Sequence, residues 1–210
     1  MAEAETPACR LTLLTPEGLA SAAALDAFAA QLAAALDAGD VACVLLRAAG
    51  LDDASALRAA HRLAPLAQDR DAAFLVEDRP EVARRSNADG VHLSAGGAPV
   101  ARVREAIGPE AIVGVGCGLS RHAAMQAGEA GADYVAFSGA EAELAELLAW
   151  WQATMTPPCV VLDGVTLGNA AELARAGADF LALGEAVWAH PDGPAAAVEA
   201  FSARLAGAAG

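Results

Sequence analysis

Short apolar runs recur along the chain, separated by alanine-rich stretches with helical patterning. The runs are Leu11–Leu14, Val41–Leu46, Ala73–Val76, Gly90–Leu93, Ile112–Val115, Tyr134–Phe137, Val160–Leu162 and Phe180–Leu183. Each has the length of a strand. Most lack polar alternation, as expected when both faces of a parallel strand are covered. Between them Ala54–Ala67, Val100–Ile107, Ser120–Ala130 and Asn169–Ala176 read as helices. Ser120 and Thr166 stand where N-caps belong, and Gly108, Gly131 and Gly177 stand where helices stop.

The spacing of the runs selects an architecture. Eight strand–helix units in 210 residues match a small eightfold β/α (TIM) barrel. A local signature repeats as Asn-Ala-Asp-Gly (87–90), Gly-Ala-Asp-Tyr (131–134) and Gly-Ala-Asp-Phe (177–180), each time with an Asp leading into an apolar run. A doubly wound open sheet is the alternative, but it usually carries a glycine-rich fingerprint after its first strand. Here that strand runs into Thr15-Pro16-Glu17-Gly18 instead. The reading is one barrel domain over residues 1–210, with its core at about 9–190 and a C-terminal helical tail at 191–210.

Composition narrows the chemistry. There are 59 alanines, and aromatic residues are only 4% of the chain, which argues against stacking platforms for single-stranded nucleic acid. A net charge of −14 repels phosphate backbones and anionic membranes. All 13 basic residues are arginine, so Schiff-base chemistry and a lysine phosphate clamp are excluded. Cys9, Cys43, Cys117 and Cys159 lack zinc-type spacing, and Cys43 and Cys159 read as buried thiols within apolar runs. Met1–Pro7 has no signal-peptide pattern, and the richest apolar stretch, Leu19–Ala38, carries Asp26 and Asp37. The expectation is a cytoplasmic protein with a small-molecule ligand, no nucleic-acid or membrane partner, and possible homo-oligomerisation.

Barrels of this kind carry their chemistry where strands end. Those positions hold Arg47, Glu77-Asp78-Arg79, His92-Leu93-Ser94, Gly116-Cys117-Gly118, Ser138-Gly139, Asp163-Gly164 and Gly184-Glu185. Glu77, Asp78, Asp163 and Glu185 suggest a site for a divalent metal or a cationic ligand. The alternative is that they are salt-bridged to Arg47 and Arg79, or simply solvated. His92 reads as an acid/base or as a satisfied core residue. Cys117, between glycines and ahead of a helix, reads as an activated thiol or as a packed one. His61, His122 and His190 read as surface residues, and Trp150-Trp151 as a packing or subunit-contact anchor.

Longer stretches carry a resemblance. Asp89-Gly90-Val91-His92-Leu93, Ile112-Val113-Gly114-Val115, Ala130–Phe137 and Leu162–Ala170 resemble the thiamine phosphate synthase and thiazole tautomerase family, in order and over roughly residues 9 to 190. The resemblance implies a barrel that uses magnesium to join an aminopyrimidine diphosphate to a thiazole phosphate, releasing diphosphate as a pyrimidine cation forms. By the same resemblance Asp78 is the metal-binding position that persists, with Glu77 beside it as the second metal candidate. Arg47, Asp78, His92 and Cys117 are the catalytic candidates, His92 and Cys117 from their strand-end setting and not from the family pattern. Arg79, Ser138, Asp163, Gly164, Gly184 and Glu185 are the ligand-binding candidates.

The chain also departs from the family pattern. Gln-Leu-Arg-Glu-Lys is reduced to Leu45-Leu46-Arg47-Ala48-Ala49, and Asn-Asp becomes Glu77-Asp78. Gly-Gln-x-Asp becomes Ser94-Ala95-Gly96-Gly97, and Ser-x-His becomes Gly116-Cys117-Gly118. The loop carrying Thr-x-Thr-Lys shrinks to Ser138–Glu141, and the phosphate cradle acquires Asp163 and Glu185. Like charges about 4 Å apart cost on the order of 4 kcal/mol at an effective dielectric of 20, more than a helix N-terminus returns. Three readings follow: a synthase with a divergent site, an inert ligand-binding homologue, and a different metal chemistry on Glu77, Asp78 and Asp163 with His92 nearby.

Overall fold

The computed structural model describes residues 9–208. The apolar runs become eight strands: β1 (Arg10–Leu14), β2 (Val41–Leu46), β3 (Ala73–Glu77), β4 (Gly90–Leu93), β5 (Ile112–Gly118), β6 (Tyr134–Phe137), β7 (Cys159–Val161) and β8 (Phe180–Leu183). Every neighbouring pair is parallel and follows chain order, and β8 pairs with β1 through Arg10↔Phe180, closing the barrel. Around it run α1 (Ala22–Leu36), α2 (Asp53–Gln68), α3 (Pro80–Ser86), α4 (Val100–Ile107), α5 (Arg121–Glu129), α6 (Glu141–Thr154), α7 (Ala170–Arg175), α8 (Glu185–Trp188) and α9 (Pro194–Ala206). The eightfold barrel expected from the strand spacing is therefore the fold.

Both faces of each strand are buried, which explains the missing polar alternation. One set of side chains, including Leu13, Val44, Leu46, Val76, Val91, Val113, Val135 and Val161, packs against the helices. The alternate set, Leu14, Leu45, Leu75, Ala136, Val160 and Ala182, packs inside the lumen. Trp151 anchors the helix layer: it is 1% exposed, meets Phe137 edge-on and donates its indole N–H to the Pro157 carbonyl at 2.7 Å. Trp150 lies half-buried under the Arg121 guanidinium.

The repeated Asp signature is a structural staple. At each copy the helix ends in a residue of positive φ: Asn87 at 54°, Gly131 at 83° and Gly177 at 112°. The next N–H, on Ala88, Ala132 or Ala178, returns to the helix at the carbonyl of Ala83, Ala127 or Leu173, closing its C-terminus. The Asp then accepts an N–H from the first or second residue of the preceding strand: Asp89 from Phe74 at 2.7 Å, Asp133 from Val113 at 2.7 Å and Asp179 from Cys159 at 2.8 Å. Its own N–H donates to that same residue's carbonyl. One Asp thus fixes the start of two strands and satisfies backbone groups where pairing begins.

Two local expectations shift. β7 begins at Cys159 rather than Val160, although Leu162 still donates to the Phe137 carbonyl at 2.8 Å. Thr166 does not cap α7: Asn169 holds that position, and its Oδ1 accepts the Thr166 N–H at 2.8 Å in the turn ahead of the helix. Ser120 caps α5 as expected, accepting from Ala123 at 3.1 Å. The stretch Met1–Pro7 lies outside the described residues, and among those described no helix is long and apolar enough to cross a membrane.

Candidate active site

Strand parity decides which strand-end residues face the mouth of the barrel. Continuing the lumen-facing set by two residues brings Arg47, Glu77, Ser94, Ser138 and Gly184 to the rim. Two cavities open there. The larger, about 440 Å³, lies over the ends of β2, β3 and β4 and is lined by Arg47, Glu77, Asp78, Arg79, Arg85 and Ser94, among others. The second, about 360 Å³, lies between β1 and β8 and is lined by Glu17, Arg47, Gly184, Glu185 and Trp188, among others. Arg47 belongs to both.

The β3 end is built with care for its charges. Asp78 has a positive φ of 50°, uncommon for a non-glycine residue but tolerated by Asp. Its backbone N–H donates to the His92 carbonyl at 2.9 Å, and its Oδ1 accepts the Ser94 N–H at 2.8 Å. Glu77 is half-buried, and burial raises its carboxyl above the ordinary range; Arg47 pulls it back and the Asp78 charge adds to the rise. Arg47 also pairs with Glu17 at 3.3 Å, and its backbone N–H donates to the buried Thr15 hydroxyl.

Arg79 lines the cavity, but its guanidinium is already engaged. It pairs with Asp53 and donates to the carbonyls of Leu51 at 2.5 Å and Ala48 at 3.3 Å. Its work is to hold the β2–α2 loop. Arg85, absent from the sequence reading, reaches the same cavity from α3 and has no ion-pair partner among the described residues. The signal available for it was helical spacing: Arg85 follows Val82, also a lining residue, by three positions on α3.

His92 lies inside the lumen beneath the mouth, 1% exposed. Its Nδ1 and the Tyr134 hydroxyl are 2.9 Å apart, and the two rings stack at 5.8 Å. Gly114 makes this possible, because a Cβ there would lie 1.9 Å from Tyr134 Cζ. Burial lowers the His92 pKa to about 4, the nearby Asp78 charge opposing the shift. The core-residue reading of His92 matches its setting.

Other expectations are corrected. Cys117 has the opposite parity and packs among the helices and the outer strand faces, 4% exposed, with its Sγ 3.4 Å from the Val115 carbonyl. Burial pushes its thiol up to about 11, the reverse of activation. Asp163 does not join Glu77 and Asp78: it is exposed in the loop after β7. Among the described residues no three His, Cys, Asp or Glu side chains gather to hold a metal, so a cage of Glu77, Asp78 and Asp163 is excluded. Ser138, Asp163 and Gly164 line neither mouth cavity, whereas Gly184 and Glu185 line the second.

Comparison with known proteins agrees with this architecture. Residues 11–187 match the family model described as thiamine monophosphate synthase. A thiamine-phosphate synthase of Rhodospirillum centenum is 50% identical over 208 residues, covering 95% of this chain and 99% of the relative. One from Hyphomonas neptunium is 44% identical, covering 94% of each chain. The solved structure of a thiamine phosphate pyrophosphorylase from Pyrococcus furiosus superposes with a TM-score of 0.80 at 24% identity, covering 96% of this chain and 97% of the other. The chain belongs to the thiamine monophosphate synthase family.

Proposed function

We propose that this barrel joins an aminopyrimidine diphosphate to a thiazole phosphate, releasing diphosphate and forming thiamine phosphate. The observation that carries the reading is the cavity over β2–β4, where Arg47, Arg85 and the Glu77–Asp78 pair face one space. Relatives at 50% and 44% identity over nearly their whole lengths support it.

Departure of diphosphate leaves negative charge on the leaving group and positive charge on the pyrimidine methylene. Catalysis is then the prior placement of charge where it develops. Arg47 and Arg85, which has no ion-pair partner among the described residues, are the cations available to the diphosphate, since Arg79 is held by the β2–α2 loop. Arginine suits this task because its planar fork meets phosphate oxygens in pairs. Arg47 leaves Glu17, a contact of 3.3 Å between half-exposed groups, at a cost of no more than about 1 kcal/mol.

The family resemblance brings magnesium with it, and the donor set fits. Magnesium is usually held by one or two carboxylates together with substrate phosphates. Glu77 and Asp78 supply that number, and a cation there would favour the Glu77 carboxylate that burial disfavours. Bound there, the ion would supply positive charge to the leaving diphosphate. Asp78 is the residue to test, because its Oδ1 is already oriented by Ser94. The purified protein is expected to form thiamine phosphate from the two substrates in the presence of magnesium. Asp78→Asn keeps the hydrogen bond and removes the charge, and should lower turnover by about a hundredfold or more with unchanged thermal unfolding. Equal turnover by the variant would remove Asp78 from the site, and no product from the wild type would leave the inert-homologue reading.

The carboxylate of Glu185 defines the other half of the mouth. It stands in the β1–β8 cavity with Trp188, whose indole N–H is fixed to the Leu14 carbonyl at 2.6 Å. This is the half left to the thiazole phosphate.

A further inference from the structure

We propose that the amino-terminal half of the barrel lumen is a second binding site, taking a small neutral molecule of one apolar ring that bears a single hydrogen-bonding group. A cavity of about 260 Å³ opens at that end, with Thr12, Cys43, Leu45, Ala73, Leu75 and Tyr134 among its lining. It shares no lining residue with either cavity at the mouth.

The hollow follows from side-chain volume. Small barrels normally fill the lumen with layers of bulky branched side chains. Here β1, β2 and β3 contribute Thr12, Cys43 and Ala73 to the lower layers. The largest lumen residue borders the gap without filling it: the Tyr134 ring lies over Gly114, and its hydroxyl is committed to His92. Bulk is gathered on one wall and lost on the other.

The lining defines the ligand. An apolar cavity of about 150 Å³ already accepts a benzene-sized molecule and stays dry without one, so this one is large enough. Thr12 is 6% exposed and lines the space, and its hydroxyl has no hydrogen-bond partner among the described residues. Cys43 lies beside it, its thiol held protonated by burial. That leaves the Thr12 hydroxyl and the Cys43 thiol as the polar side-chain groups deep in the space, with Arg10 and Asp133 at its entrance. The charges at the entrance are already neutralised. Arg10 makes two bonds to Asp40, at 2.8 and 2.6 Å, and Asp133 is bound to Arg104 at 2.7 Å. Nothing there selects an ion.

The test uses the intact protein with phenol, toluene and xenon. Phenol is expected to bind with one-to-one saturation in calorimetry, and about three- to tenfold more tightly than toluene, the difference that one hydrogen bond makes. Thr12→Val should erase that preference, and Ala73→Leu, which fills the space, should abolish binding of both. Crystals under xenon pressure should show a peak among Thr12, Cys43 and Ala73. Saturable phenol binding that survives Ala73→Leu would place the ligand elsewhere and overturn the proposal. So would an empty lumen under xenon, which decides the matter even if Ala73→Leu does not fold.

Discussion

The two ends of this barrel are made from the same strands and solve opposite problems. At the carboxyl ends, arginines and carboxylates face the open mouth, and the Glu77–Asp78 pair lines the same cavity as Arg47 and Arg85. At the amino ends, charged side chains are present too, but Arg10, Asp40, Asp133 and Arg104 are consumed in pairs around an apolar hollow. The difference teaches what charged residues are for at each end. A charge with a free side facing a cavity is chemistry in waiting; a charge bonded to backbone and partner is part of the frame.

The largest test of this contrast, after the loss of turnover expected for Asp78→Asn, lies in the layer between the two ends. His92 is neutral when folded because burial lowers its pKa to about 4, whereas an unfolded histidine titrates near 6.5. The unfolded chain therefore takes the proton first. Stability is full above about pH 6.5 and falls with pH until about pH 4, by roughly 3 kcal/mol in all. Urea unfolding at stepped pH should show this slope, and His92→Gln should remove it. A slope unchanged in His92→Gln would assign it to carboxylates instead.

A smaller effect is expected from Gly114→Ala, which drives a methyl into the Tyr134 ring. Overpacking of this kind costs about 1–3 kcal/mol, readable as a lower unfolding midpoint. Gly168→Ala at the mouth, where a new Cβ meets only the Thr166 hydroxyl at 3.6 Å, is the matched control and should be close to neutral. An effect of the same order concerns the frame. Asp179→Ala strands the Cys159 N–H, at about 1–3 kcal/mol for a buried donor left unpaired, and amide exchange at Cys159 should accelerate with no change at the mouth.

Much of the fold was legible because the strands are punctuated by residues with one job each. Gly131 and Gly177 stop helices through positive φ, and Asp89, Asp133 and Asp179 open strands. These are local devices, and local devices leave local marks. β7 slipped by one residue because Leu162 is apolar and still bonded to Phe137 just beyond the strand, so hydrophobicity alone could not mark its end. The site was half legible. Arg47, Glu77 and Asp78 were found at strand ends and do share a cavity. Cys117 was misplaced by ignoring parity: Gly114 and Gly116 alternate along β5 and claim the lumen side, which sends Cys117 to the helices. Arg85 lay on a helix of only seven residues, too short for a visible apolar face. The hollow below His92 was beyond reach, because it is the sum of side-chain volumes from strands far apart in the chain.

The Asp staples have a consequence for how the chain can be cut. Each one binds a strand, a helix and the next strand into a closed unit: β3–α3–β4, β5–α5–β6 and β7–α7–β8. The bonds that tie each Asp to the preceding strand and close the helix lie within the unit, while Gln68 and Arg104, on the helices that join units, brace Asp89 and Asp133 from outside. A circular permutant opened at Gly96, exposed in the loop between β4 and α4, keeps all three staples whole, while one opened between α5 and β6 severs a staple at its knot. Three of the barrel's four quarters are in this sense prefastened, and its tolerance to new ends is set by where those fastenings fall.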